Sequence, residues 1–305
     1  MLLNMREPAT SLELGQLRAD GKLQELASHP QLYLHPEWIE ELASDADWRV
    51  RVALAQNTTI GVSPRGIIDL TRDENRWVRR SLATNPAIAN LPDVLDCISS
   101  DEDAHVRANL AASSAIAEHA EVIKKLASDK DPDVRRRLAA NPAIVNSSEG
   151  IQTLSADKDW LVRKALAESP AIAASPKGGY RLATAEDPPL RRSLASNPAI
   201  ANLPRVVLEL SRDRDLTVRR ALAKNPAIAI DPEAIKKLSK DRSKSVRQTL
   251  AANRAIANYP EVIKALSSDQ SPDVRDALAE NPAIPASTAS NPQWNTQPVT
   301  PTPTI

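Results

Sequence analysis

The residues of this chain that could do chemistry are mainly charged side chains, and few stand where a catalytic or metal site needs them. The four histidines share no metal-ligand spacing: His29, His35, His105 and His119. No serine–histidine–aspartate pattern or glycine-rich phosphate loop is present. The single cysteine, Cys97, excludes a disulfide framework and a cysteine-ligated cluster, and we expect it near the surface. We therefore expect no catalytic residue, metal or cofactor, and predict that the chain is not an enzyme.

Arginine recurs at a fixed interval of 28 residues, always directly after a valine, or after Leu190 in one copy. The nine arginines are Arg51, Arg79, Arg107, Arg135, Arg163, Arg191, Arg219, Arg247 and Arg275. An aspartate lies six residues before eight of the nine, and Ala185 takes that place before Arg191. Alternating arginine and aspartate predict a hydrogen-bonded ladder between stacked repeats. On this interpretation Ala185 leaves Arg191 without its partner.

A second basic column, two positions after the valine, is the better candidate for binding because it varies and the core does not require it. With its neighbours, the candidate partner-binding cations are Arg80, Arg136, Arg137, Lys164, Arg192, Arg220 and Lys224. Net charge is zero overall, but residues 130–225 carry 17 basic and 11 acidic side chains. This stripe suits an acidic protein segment or a nucleic-acid backbone. The alternative is a solvated face balanced by the abundant aspartates.

Tryptophan and asparagine mark the two ends of the Val-Arg segments. Trp48, Trp77 and Trp160 stand near the start, where we expect packing in the core between repeats. Exposed beside arginine, they would instead form a recognition hot spot. Asparagine or serine stands seven residues after each valine, and we expect it to end the helix and satisfy backbone groups.

These columns require two short helices in each repeat, here called the A and B helices. Aspartate, asparagine or serine three residues before the valine is a typical N-cap, as at Asp131, and proline follows it in three copies. The A helix then runs to an Asn-Pro step. The B helix begins at a proline 14 residues after the valine in most copies, as at Pro92, and buries its own apolar face.

The predicted fold is all-α, an α-solenoid of about ten 28-residue two-helix repeats. Aromatic residues are 3% of the chain and phenylalanine is absent, which suits closely packed helices. The predicted organisation is an N-terminal capping helix at residues 1–18, the repeat solenoid at 19–284 and a disordered proline- and threonine-rich tail at 285–305. Gly178 and Gly179, close to Ala185, suggest local flexibility, with fast amide exchange over residues 175–190.

The segment DPDVRRRLAANPAI (residues 131–144) resembles the leucine-rich repeat variant, whose units read Asp-x-x-Val-Arg-x-x-Leu-Ala-x-Asn-Pro. The resemblance covers about residues 19–284, although that family's unit is about four residues shorter. One branch of the family holds an iron–sulfur cluster, and the cysteines for it are missing here. The start of the A helix at residues 47–51 is also similar to HEAT repeats, which implies that A helices line the concave side.

Together these features favour a protein-interaction scaffold that binds an acidic protein or peptide on the concave face. The alternative is a nucleic-acid binder that uses the basic inner stripe, as the HEAT-like DNA glycosylases do. The chain shows no signal-peptide pattern and no apolar run of 18 residues, so we expect a cytoplasmic protein with no membrane partner. Either a monomer or an oligomer fits the last repeat, which ends at Ile284 without a polar cap.

Overall fold

The computed structural model describes residues 11–285, and every regular element in that stretch is a helix. Contacts between Cα atoms divide the chain into two compact units, Met1–Ala171 (unit 1) and Ile172–Ile305 (unit 2). Within each unit, A and B helices alternate along the chain, and each packs against the next helix of its own kind. Each unit is therefore a stack of helix pairs, which confirms the predicted α-solenoid architecture.

Unit 1 contains the helices α1 to α12. Its first helix is α1 (Ser11–Ala19). The A helices are α2 (Leu23–Ala27), α4 (Trp48–Gln56), α6 (Arg76–Ala83), α8 (Ala104–Ala112), α10 (Pro132–Ala140) and α12 (Trp160–Glu168). The B helices are α3 (Pro36–Ala43), α5 (Pro64–Thr71), α7 (Pro92–Ser99), α9 (Ala120–Ala127) and α11 (Ser148–Ser155).

Unit 2 contains the helices α13 to α20. Its A helices are α14 (Pro188–Ser196), α16 (Leu216–Lys224), α18 (Lys244–Ala251) and α20 (Pro272–Ala279). Its B helices are α13 (Pro176–Ala183), α15 (Pro204–Ser211), α17 (Pro232–Ser239) and α19 (Pro260–Ser267). The predicted tail from residue 286 and the first ten residues of the predicted capping helix lie outside the described residues. The domain boundaries stay a prediction.

Side-chain caps begin most A helices where the sequence predicts them. In α4 the Asp47 carboxylate accepts a hydrogen bond from the Arg49 amide at 2.9 Å. In α16 Asp215 accepts one from the Thr217 amide at 2.7 Å. These bonds satisfy N–H groups that the first turn of a helix leaves without a partner. The helix starts therefore follow from local polar chemistry, and the stack then buries the apolar face.

A short 3₁₀ turn, which the columns did not reveal, leads from A helix to B helix. In unit 2 it carries the fully buried Ile228 and begins at Asn225. The Asn225 Oδ1 accepts a hydrogen bond from the Ala227 amide, and its Nδ2 donates to the carbonyl oxygens of Ala195 and Asn197 in the preceding repeat, each at 2.9 Å. The same three bonds are made by Asn57, Asn85, Asn141, Asn253 and Asn281. The asparagine column is structural, as predicted, and it also ties neighbouring repeats together.

The recurring arginines form a buried ladder with aspartates of the following repeat. In unit 1, Arg107 Nε and Nη2 donate to the two carboxylate oxygens of Asp129 at 2.6 and 2.9 Å, and Nη1 donates to the Asp101 carbonyl at 2.6 Å. The two charged side chains are 5% and 7% exposed. In unit 2, Arg219 makes the same two-point contact with Asp241. The predicted ladder is confirmed within both units.

The prediction that Ala185 leaves Arg191 without a partner is wrong. Arg107 uses the backbone carbonyl six residues earlier and the carboxylate 22 residues later, and the other ladder arginines with an aspartate at that later position do the same. Arg191 accordingly donates to the Ala185 carbonyl oxygen at 2.7 Å and to the Asp213 carboxylate at 2.6 and 2.9 Å. Because a carbonyl is present whatever the side chain, alanine at position 185 costs Arg191 no hydrogen bond.

Two consecutive glycines lie within α13, and both are buried. A Cβ atom at Gly179 would lie 2.8 Å from Cδ1 of Leu203 and 3.3 Å from Cγ2 of Val206. The small residue therefore allows α13 to pack closely against α15 and the residue before it. The helix is continuous here, and the fast amide exchange expected over residues 175–190 stays a prediction.

Candidate binding groove on the A helices of unit 2

Four positions of the A helices lie on the side opposite the core, and Ala53 and Ala108 are the buried exceptions among the described residues of unit 1. In α16 the buried residues are Val218, Arg219, Leu222 and Ala223. The positions one before the valine and two, three and six after it share the opposite side of a helix with 3.6 residues per turn. We call the surface built from these four positions on successive A helices of a unit its A face.

On unit 2 the A face contains a groove of about 920 Å³ that is lined by residues of α14, α16, α18 and α20 and of the segments that follow them. Its lining is polar or small, and no aromatic side chain is among the described residues that form it. The long polar side chains in the lining are Arg192, Arg220, Lys224, Gln248 and Glu280. This geometry can hold a polar ligand, and it offers no apolar anchor pocket.

Three cations line this groove: Arg192, Arg220 and Lys224. All three are exposed, and among the described residues none has a carboxylate oxygen within 4.0 Å. Because no neighbouring carboxylate neutralises them, their charge remains available to a ligand of opposite sign.

Beside the cations lie two buried asparagines, Asn253 and Asn281. The Asn253 amide donates to the carbonyls of Ala223 and Asn225 at 2.8 and 3.1 Å, so the tie between repeats already uses its hydrogen atoms. The two asparagines therefore form part of the groove wall, and their amide hydrogen atoms are not available to bind a ligand.

On unit 1 the corresponding Arg80 is already engaged. Its Nη2 lies 3.2 Å from each carboxylate oxygen of Asp103, and its guanidinium carbon lies 4.7 Å from the centre of the Trp77 ring. Burial alone would raise the pKa of Asp103, but hydrogen bonds from the His105 amide and from Arg80 lower it. Arg80 therefore belongs to a closed cluster rather than to an open binding surface.

The other candidate cations of unit 1 also have acidic neighbours. Arg137 Nε donates to Asp133 at 3.0 Å, and Arg136 donates to the other oxygen of the same carboxylate. Lys164 Nζ lies 3.6 Å from Glu168. Of the predicted basic stripe, only the part on unit 2 keeps its charge unpaired.

The expectation that the three tryptophans pack in the core is wrong. Trp48, Trp77 and Trp160 are 39%, 50% and 48% exposed. Each has a cation near its ring: Arg49 at 5.5 Å from the centre of Trp48 and Lys164 at 5.9 Å from that of Trp160, with Arg80 against Trp77. They occupy the first turn of their helices. Exposed tryptophan beside a cation is the arrangement that the hot-spot alternative requires.

The described residues contain no group of three or more histidine, cysteine, aspartate or glutamate side chains placed to hold a metal ion. Cys97 is exposed, as expected. In the same part of the chain, no helix combines the length and the apolar character that a membrane span requires.

Comparison with known proteins gives similarity at the level of three-dimensional structure. No family model matches the sequence, and no curated protein does either. The chain is similar to a leucine-rich repeat variant. That structure, described as having a novel repetitive protein structural motif, is 22% identical with a TM-score of 0.47, and the match covers 80% of this chain and 99% of the other.

Two further solved structures are similar to the chain. Importin beta is 10% identical with a TM-score of 0.39, over 89% of this chain and 48% of its own. The YibA protein of E. coli is 16% identical with a TM-score of 0.31, over 90% and 99%. The resemblance to the leucine-rich repeat variant, which the residues of the repeat predict, is confirmed.

The sequence columns missed part of the groove lining. Gln248, Thr249 and Glu280 were not among the predicted binding residues, although all three line the groove. The signal was available, because Glu280 stands in the same column as Lys224, six residues after the valine. The groove is built from four columns together, and a single column does not show it.

Proposed function

We propose that the chain is a non-enzymatic protein-interaction scaffold that binds a partner in the groove of unit 2. The observation that carries the proposal is the set of three exposed cations, Arg192, Arg220 and Lys224, that line a groove of about 920 Å³ with no carboxylate within 4.0 Å among the described residues. A rigid, polar groove with unpaired charge recognises a complementary segment and steers its approach. The reducing cytoplasm suits a chain whose single cysteine is exposed.

A protein segment fits this groove better than a nucleic acid does. Nucleic-acid surfaces combine many phosphate contacts with aromatic side chains for stacking on bases. Here three cations share the groove with Glu280, and no described lining residue is aromatic. We therefore favour an acidic partner protein over the alternative of a phosphate backbone.

The test is affinity capture from a lysate of the source organism with wild-type protein and with the triple variant Arg192→Ala/Arg220→Ala/Lys224→Ala, both with and without nuclease. We expect a protein that wild type captures after nuclease treatment, that the triple variant loses, and that binds again when purified. Substitution of Arg136 and Arg137 by alanine on unit 1 is the matched control and should leave capture unchanged. An identical set of proteins for wild type and triple variant would contradict the proposal, and so would capture that nuclease abolishes.

A further inference from the structure

Charge is sorted along the groove of unit 2 from one helix to the next. The A-face positions of α14 contribute Arg192, and those of α16 contribute Arg220 and Lys224. In α18 they are uncharged, and in α20 they are Asp273, Asp276, the uncharged Ala277 and, directly after the helix, Glu280. Glu280 lines the groove itself, and Asp276 lies on the same A face one turn earlier. The A face of unit 2 therefore has a cationic end at α14 and α16 and an anionic end at α20, and the A-face positions of the helix between them are uncharged.

Both ends keep their charge available. The cations have no carboxylate within 4.0 Å among the described residues, as shown above. At the other end, Asp276 and Glu280 are exposed, and no described lysine, arginine or histidine lies within that distance of either. Asp273 alone is engaged, by Lys244 Nζ at 2.8 Å. A ligand with one sign of charge throughout would satisfy one end and be repelled at the other.

We propose that this groove binds an extended peptide with an acidic block and a basic block, the acidic block against Arg192, Arg220 and Lys224 and the basic block against Asp276 and Glu280. This inference rests on the proposed function and names the class of its partner. The uncharged Gln248 and Thr249 lie between the two blocks and can donate to and accept from the peptide backbone.

The dimensions set the length of the peptide. Neighbouring helices in a stack lie roughly 10 Å apart, so the axes of α14 and α20 are separated by about 30 Å. An extended chain advances about 3.3 Å per residue, so roughly nine residues span this distance. A nonapeptide with three charged residues at each end and three neutral residues between them matches the order of charge along α14 to α20.

The charge sorting also argues against a polyanion. A phosphate backbone long enough to reach α20 would bring negative charge against Asp276 and Glu280, and like charges in close contact are unfavourable. A polyanion confined to α14 and α16 would contact only three cations, so it would release few counterions and bind weakly. The bipolar peptide is the ligand that uses both ends.

Fluorescence anisotropy with two labelled nonapeptides of identical composition tests the inference. The block peptide is EEEGSGKKK, and the mixed peptide is EKGEKSEKG. At 50 mM salt we expect the block peptide to bind about tenfold more tightly, because it alone places several opposite charges at both ends together. Equal affinity for the two peptides would overturn the inference, and tighter binding of a labelled twenty-nucleotide oligothymidine than of the block peptide would do so too.

Charge reversal gives a second and sharper readout. The triple variant Arg192→Glu/Arg220→Glu/Lys224→Glu makes the whole groove negative and should abolish binding of the block peptide. Adding Asp276→Lys and Glu280→Lys restores two opposite ends, and binding should return because the peptide can lie in the reverse direction. Circular dichroism checks that the five-fold variant is still helical. If it is folded but does not bind the block peptide, the proposed opposite orientation of peptide and groove charge is contradicted.

The two proposals can fail separately. A captured partner that depends on the groove while the block and mixed peptides bind alike would retain the scaffold proposal and reject the bipolar ligand. The reverse outcome can also occur. If the block peptide binds more tightly and the charge-reversed variants change its binding as expected, but no captured protein depends on the groove, the bipolar ligand stands and the scaffold proposal fails. The Arg136→Glu/Arg137→Glu variant on unit 1 is the matched control and should leave peptide binding unchanged.

Discussion

The A faces of unit 1 and unit 2 are built from the same four columns, yet they use their cations differently. On unit 1, Arg80 is held by Asp103, and Arg136 and Arg137 share Asp133. On unit 2, the cations of α14 and α16 have no described carboxylate within 4.0 Å. Position in the repeat therefore does not make a residue available for binding. Whether a cation on the A face is free to bind a ligand depends on the acidic side chains that lie next to it.

Beneath the A faces the two units are alike, and this gives the largest expected effect. Asp129→Ala in unit 1 and Asp241→Ala in unit 2 each leave a buried ladder arginine without its carboxylate. We expect each to lower the free energy of unfolding by about 3–5 kcal/mol, as loss of one partner of a buried ion pair does. Urea denaturation followed by circular dichroism measures both variants. A large cost in one unit alone would show that the units differ internally and not only at the surface.

The next effect separates the two A faces directly. Arg80→Ala removes the hydrogen bonds from Arg80 to the mostly buried Asp103 carboxylate and the contact with Trp77. The arginine that then remains near this carboxylate is the more distant Arg76, whose guanidinium lies 3.8 Å away. We expect a loss of about 1–3 kcal/mol in the free energy of unfolding. Arg220→Ala in the same column of unit 2 should change it by less than about 0.5 kcal/mol, because the side chain is exposed and has no ion-pair partner. Equal effects would remove the distinction between paired and open faces.

Acid should weaken both units over the same pH range. The hydrogen bond from Arg247 lowers the pKa of Asp269 in unit 2. Burial is the largest single influence on the pKa of Asp129 in unit 1 and raises it, but the hydrogen bonds from Arg107 and the Asp131 amide, with the nearby charges of Arg107 and Lys130, together lower it. A carboxylate whose pKa is lower in the folded chain stabilises above its unfolded pKa of about 4, and this stabilisation is lost as the pH falls further.

Urea midpoints measured between pH 7 and pH 3 should therefore stay nearly level down to about pH 5 and fall below about pH 4. Asp269→Asn should reduce this fall, because its amide does not titrate. Midpoints that rise on acidification would contradict the assignment of the ladder carboxylates.

The smallest expected effect would convert part of unit 1 into an open face. Asp133→Asn removes the negative charge shared by Arg136 and Arg137 and keeps the size of the side chain. In a background with Arg192, Arg220 and Lys224 changed to alanine, we expect binding of an acidic nonapeptide to strengthen about two- to fivefold. Anisotropy at low salt measures the change. No gain would show that the surroundings of these cations, and not their pairing, set the difference between the units.

Periodicity alone predicts the helices and the ladder residues, because each column repeats the same local chemistry. Periodicity does not predict which aspartate supplies the carboxylate to each arginine. Six of the nine arginines have an aspartate both six residues before and 22 residues after, since the two spacings add up to the period. A single sequence therefore offers Arg191 both Ala185 and Asp213, and only the packing of one repeat on the next shows that the carboxylate comes from Asp213.

The candidate site was predicted in part for a similar reason. Charged columns identify Arg192, Arg220 and Lys224, but their availability depends on side-chain directions that no column records. Arg80 reaches Asp103, 23 residues later, and its cluster includes Trp77. Arg192 has Asp215 at the same offset and is not within 4.0 Å of it. The sequence also did not predict that the tryptophans are exposed. Which side of the first helical turn is buried depends on where the preceding segment packs, and the columns do not record this.

The asparagine ties have a consequence for the length of the array. Asn225 bonds to carbonyls 28 and 30 residues earlier, and Arg107 bonds to a carboxylate 22 residues later, so both kinds of link join equivalent places in adjacent repeats. Within a unit, removing or adding 28 residues at any point brings the same donors to the same acceptors. Changing the length by any other number breaks both links at once. The chain is therefore modular in whole repeats, and the number of helices that present an A face can grow or shrink without a new interface having to form.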